Sequence, residues 1–140
     1  MINVIVDSGF WFALYDTGDA YYTKAINIVE YLNMSNVIIP FPTLYESINT
    51  KFMKNTVAKT EFENILKRNN VTIVNDDSIK TDALRITFTD ESKKRNLSLV
   101  DNIIRLILED VSYKIDCLIT FNKKDFIDIC QKRNIEILDK

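Results

Sequence analysis

The chain alternates short runs of aliphatic, β-branched residues with longer stretches in which apolar residues recur every three or four positions. Ile2-Asn3-Val4-Ile5-Val6 reads as a strand that breaks off at Asp7-Ser8-Gly9. Phe10 to Tyr15 predicts a short helix, stopped near Asp16-Thr17-Gly18-Asp19. From Ala20 to Leu32, apolar residues at 21, 25, 28, 29 and 32 keep helical spacing. Asn36 to Ile39 is a second strand, which Pro40 and Pro42 are expected to end, because proline has no ladder donor. Helices follow from Thr43 to Lys54 and from Thr56 to Arg68, then a third strand from Val71 to Val74. A polar helix capped by Asp77 or Ser78 runs toward Arg95. A helix capped by Ser98 carries apolar residues at 99, 100, 103, 104, 107 and 108. Asp116 to Thr120 is a fourth strand, Lys123 to Cys130 a short helix, and Ile135 to Leu138 a last strand.

Strands separated by helices need crossover connections, so the sheet should be mainly parallel and covered by helices on both faces. The expectation is an α/β fold, a three-layer α/β/α sandwich around about five strands. No repeat, low-complexity segment or Gly/Pro/Ser-rich linker interrupts the chain, and 140 residues suit one domain spanning residues 1–140. No apolar run has the ~20 residues of a membrane helix. The first residues lack the basic start and small-residue cleavage site of a signal peptide, so a cytoplasmic protein is expected.

Composition narrows the chemistry. The absence of histidine excludes Ser-His-Asp and Cys-His nucleophile systems, His-ligated zinc and a His general base. Cys117 and Cys130 alone make neither a disulfide framework nor a Cys-rich zinc site. Chemistry must rest on carboxylates, Lys, Tyr, Ser/Thr or a hard metal ion. With 18 Lys and Arg against 20 Asp and Glu, the net charge is −2. The chain is not globally basic, so contact with nucleic acid must be local.

In open α/β sheets the site lies beyond the carboxyl ends of the strands. Asp7 follows the first strand, Glu46 opens the helix after the second, Asp101 opens the helix before the fourth, and Asn122 and Asp125 follow the fourth. Several carboxylates at one edge repel each other, and a divalent cation removes that cost. Mg²⁺ and Mn²⁺ prefer such oxygen ligands, and two ions ~3.5–4 Å apart can activate water and stabilise a leaving oxygen. Each acid also has a plain structural explanation. Thr43-Leu44-Tyr45-Glu46 matches a capping box, Ser98-Leu99-Val100-Asp101 a weaker one, and Asn122-Lys123-Lys124-Asp125 a third N-cap pattern. Asp7 resists that account: it ends an apolar strand ahead of Phe10-Trp11-Phe12, and burying an unpartnered charge is costly.

Over its whole length the chain resembles the PIN-domain ribonucleases, and in particular the VapC-type toxins of type II toxin–antitoxin systems. The resemblance rests on Ile5-Val6-Asp7-Ser8-Gly9-Phe10-Trp11-Phe12-Ala13-Leu14, Pro42-Thr43-Leu44-Tyr45-Glu46, Leu97-Ser98-Leu99-Val100-Asp101 and Leu118-Ile119-Thr120-Phe121-Asn122-Lys123-Lys124-Asp125-Phe126. It implies an Mg²⁺- or Mn²⁺-dependent endoribonuclease that forms a homodimer and binds a cognate antitoxin. Asp7 and Asp101 would be the main metal ligands and Glu46 the third acid. Two departures stand out: Asn122 occupies a position where many PIN domains have Asp, with Asp125 as its possible substitute, and Tyr22 stands near the place of a frequent His. Ser8 and Thr120 are candidate hydroxyls beside the metal. Lys123, Lys124 and Arg105, with Lys51, Lys54 and Arg95, are candidates for contact with RNA phosphates. The competing reading is a non-catalytic PIN-type module that binds RNA or protein. A haloacid-dehalogenase-type phosphatase fits less well, since Gly9 stands where a second Asp would be needed. A receiver domain fits less well because Asp7 has no adjacent acid.

Overall fold

A computed structural model describes residues 1–140. The sheet comprises β1 (Ile2–Val6), β2 (Ser35–Pro40), β3 (Val71–Val74), β4 (Cys117–Ile119) and β5 (Glu136–Leu138), in the order β3-β2-β1-β4-β5. Every pairing is parallel. β1 is central, with Val4 opposite Val37 on one side and Cys117 on the other.

Around the sheet lie α1 (Ser8–Leu14), α2 (Tyr22–Leu32), α3 (Phe41–Ser47), α4 (Thr50–Met53), α5 (Thr56–Leu66), α6 (Lys80–Thr87), α7 (Asp90–Arg95), α8 (Leu99–Glu109) and α9 (Ile127–Arg133). Because side chains alternate across a strand, the near-continuous apolar runs of β1, β2 and β4 feed two cores at once. Val4, Val6, Val37, Ile39, Cys117 and Ile119 meet α1, α2 and α5 through residues such as Phe10, Trp11, Ile28 and Phe62. Ile5, Ile38 and Leu118 meet α6, α8 and α9 through Ala83, Ile104, Ile107, Leu108 and Ile129. The α/β/α sandwich expected from the pattern is therefore present, and no helix is long and apolar enough to cross a membrane.

As expected, β2 ends at Pro40, and Pro42 sits in the first turn of α3, where a missing N–H costs nothing. Three other local expectations need correction. The helix expected from Thr43 to Lys54 is two: Asn49 accepts from the Phe52 N–H and starts α4 afresh. The long polar helix toward Arg95 also breaks. Thr89 caps α7, and the buried Asn102 amide ties Thr87 and Ser92 together across the break. The helix expected from Lys123 is a 3-10 turn over Lys123–Asp125, followed by α9.

Candidate active site

In the sheet order, the chain moves outward from β1 through β2 to β3, then returns to the other side of β1 as β4. The carboxyl ends of β1 and β4 thus frame the topological switch point. A groove of about 460 Å³ opens there, lined by Asp7, Ser8, Gly9, Phe12, Glu46, Arg95, Asn96, Ser98, Asp101, Asn122, Lys124 and Asp125. Four acids from distant parts of the sequence share it.

Asp7 occupies the N-cap of α1 and is only 4% exposed. Its Oδ1 accepts from the Ser8 N–H at 2.8 Å, and its Oδ2 from the Thr120 hydroxyl at 2.9 Å. Thr120 Oγ1 in turn accepts from the Asn122 N–H at 3.0 Å, so one hydroxyl joins the end of β1 to the loop after β4. Ser8 Oγ donates to Glu46 Oε1 at 2.8 Å. The capping box expected at Thr43 does not form. The helix starts earlier, Thr43 donates its hydroxyl to the Pro40 carbonyl, and the Glu46 side chain reaches Ser8 instead of its own helix start. The box at Ser98 does form: Ser98 Oγ accepts from the Asp101 N–H, and Asp101 Oδ2 accepts from the Ser98 N–H. Asn122 makes no side-chain cap, which corrects the third pattern, and its amide lines the groove.

Electrostatics record the crowding. Burial pushes the Asp7 carboxyl up to about 6. The Thr120 and Ser8 hydrogen bonds resist that rise, and the Asp101 and Glu46 charges add to it. Burial likewise raises Glu46, opposed by Ser8 and aided by Asp101. Asp125 is raised by burial and then by Asp101, against Lys124, Arg95 and Arg105. No three acidic or cysteine side chains are gathered tightly enough to close on a single cation. The donor set nevertheless suits a hard ion: it is all oxygen, and a cation would offset both the burial of the Asp7 charge and its repulsion by Asp101 and Glu46.

The basic residues divide. Lys124 and Arg95 line the groove, whereas Lys123, exposed on the same turn, does not. Arg105 lies outside it. Its guanidinium grips Asp128 at 2.8 and 2.9 Å and donates to the Asp125 carbonyl at 2.8 Å. Those bonds hold Asp128 well below the usual carboxylate range. Asn96 and Ser98 were not foreseen as groove residues. Asn96 has a left-handed backbone (φ 56°) ending α7, and an Asn just after Lys93-Lys94-Arg95 is the sequence signal for such an end.

No family model and no curated protein matches the chain. Among solved structures it is similar to the crystal structure of Mycobacterium tuberculosis VapC20, described as a sarcin–ricin loop cleaving toxin. The TM-score is 0.68, with 19% identity over 89% of this chain and 94% of that one. The likeness is one of fold: the chain has the PIN-like architecture of that toxin.

Proposed function

We propose that this PIN-like chain is a divalent-metal-dependent endoribonuclease and the toxin of a type II toxin–antitoxin pair. One observation carries the reading: a buried carboxylate at the sheet's switch point shares a groove with three further acids, in a fold shared with an RNA-cleaving toxin. Asp7, Glu46 and Asp101, with Asp125 and the Asn122 carbonyl, are the residues that would hold Mg²⁺ or Mn²⁺. When bound, such an ion supplies water activation near neutral pH and charge neutralisation at a phosphodiester.

The chain's own groups prepare that site. Thr120 and the Ser8 N–H each hold one Asp7 oxygen and so orient the side chain. The Ser8 hydroxyl aims Glu46, and the Ser98 cap orients Asp101. Without metal, Asp7 is ionised above about pH 6, so below that pH a proton competes with the cation for it. A homodimer and a cognate antitoxin that covers the groove belong to the same proposal.

The test is cleavage of a synthetic sarcin–ricin loop hairpin and of total tRNA with Mg²⁺, Mn²⁺ or EDTA. Metal-dependent cuts are expected in the parent protein and none in Asp7→Asn or Asp101→Asn with folding intact; activity in both variants would refute the mechanism. At the fourth position, Asn122→Asp should lower the metal concentration needed for cleavage, since Asn supplies an oxygen but no charge. Asp125→Asn should raise it. A metal titration that leaves both variants at the parent value would place the loop outside the chemistry.

A non-catalytic RNA- or protein-binding module is the second reading. It is favoured by the neutral Asn122 and by the acids' failure to close on one point. Binding of the same RNAs without cleavage under any metal would establish it.

A further inference from the structure

An RNA strand entering the groove meets Asp7, Glu46, Asp101 and Asp125, and only Arg95 and Lys124 offer it positive charge there. Arg95 is already engaged, but weakly. Together with Arg105 it shares the carboxylate of Asp128, and the two arginines hold it unequally. Arg105 forms a two-pronged pair at 2.8 and 2.9 Å, and its side chain is 16% exposed. Arg95 reaches the same oxygens at 3.3 and 3.4 Å, and the Lys124 carbonyl at 3.4 Å, with its side chain 28% exposed. Those distances lie at the outer limit of hydrogen bonding, whereas the Arg105 distances are those of strong charge-assisted bonds. Arg105 is the stronger partner of Asp128, so Arg95 can leave while the carboxylate keeps its two-pronged counter-charge.

The backbone keeps Arg95 at the groove while its head is loosely held. It stands in the last turn of α7, and the left-handed Asn96 turns the chain sharply into the Ser98 cap of α8. Asn96, Ser98 and Arg95 all line the groove. A phosphodiester offers a guanidinium the two-oxygen partner that Asp128 has already given to Arg105.

We propose that Arg95 is a phosphate ligand for RNA in this groove, released from Asp128 when the strand binds. Arg105 is a positioning residue that stays on Asp128 and holds the Asn122–Asp125 loop by the Asp125 carbonyl. The proposal rests on RNA being the ligand of the groove.

The experiment is anisotropy of a fluorescein-labelled RNA hairpin in EDTA, where no metal-dependent cleavage occurs, across a salt series. Arg95→Gln keeps a polar side chain but removes the charge, Arg95→Lys keeps the charge, and Lys93→Ala removes an exposed charge from the same helix end. Arg95→Gln should weaken binding by roughly tenfold and make the log K against log[salt] slope shallower by about 0.7–0.9. Arg95→Lys should keep the slope while losing part of the affinity, and Lys93→Ala should leave the slope unchanged. An unchanged slope in Arg95→Gln, or an equal loss in Lys93→Ala, would overturn the assignment. The outcomes separate from those of the nuclease reading. An Arg95-dependent slope in a protein that never cuts RNA keeps this proposal and ends that one; cleavage by Arg95→Gln at the parent KM does the reverse.

Discussion

Asp7 couples the proposed chemistry to the stability of the fold in one buried side chain. Its carboxyl titrates near 6 rather than at its ordinary 3.8, so the folded state binds that proton more tightly than the unfolded chain does. Its contribution to stability is therefore full below about pH 4 and is lost as the pH rises through about 6. The difference corresponds to at most about 3 kcal/mol. Asp7→Asn cannot titrate, so without metal it should melt above the parent at pH 7–8 and lose that advantage below about pH 4. Thermal melts across pH check this. Thr120→Val removes the hydroxyl that holds the Asp7 charge and should push its metal-free pKa above 6, moving the acid limb of cleavage to higher pH at limiting metal, where the proton competes with the cation. Carboxyl-carbon NMR reads the first shift and a pH–rate profile the second. That Asp7 would be buried and troublesome was legible from the apolar run before it. The resemblance implied a Thr120 hydroxyl beside the metal, but its bond to Asp7 was not legible, because the two are joined only by the pairing of β1 with β4.

At the scale of elements, identical local patterns had different fates. Thr43-x-x-Glu46, Ser98-x-x-Asp101 and Asn122-x-x-Asp125 all read as N-caps, yet only the second closes. α3 starts upstream, with Pro42 in its first turn, and Glu46 falls in its last turn, where a hydroxyl 38 positions away donates to its oxygen. A capping pattern specifies which bonds are available, and packing decides whether the acid turns back or outward. Asp101 does both: one oxygen closes the box while the residue lines the groove. Asn can still accept from the Ser98 N–H, so Asp101→Asn should cost no more than about 1 kcal/mol of stability while abolishing cleavage. Ser98→Ala loses the reciprocal bond and should cost about 1 kcal/mol, with partial activity. Urea unfolding beside the cleavage assay separates the two variants.

For the molecule as a whole, the parallel sheet and its helical covers followed from the alternation of short and long apolar patterns. The order of strands did not, since periodicity says nothing about which neighbour a strand takes. The acids converge only through that order. A protein that gathers like charges should gain from a ligand that cancels them. Mg²⁺ or Mn²⁺ at ~100 times its dissociation constant should stabilise the fold by about 2.7 kcal/mol, seen as a raised melting temperature that Asp7→Asn lacks. The central place of β1 has one more consequence, in the order of synthesis. β1, β2 and β3 leave the ribosome early and can pair with one another, but β4 lies 113 positions after its partner in β1. Until it docks, Asp7 has no Thr120, and Asn122 and Asp125 have no groove to line. The acidic centre therefore stays incomplete for most of translation and is born only when the late strand enters its slot.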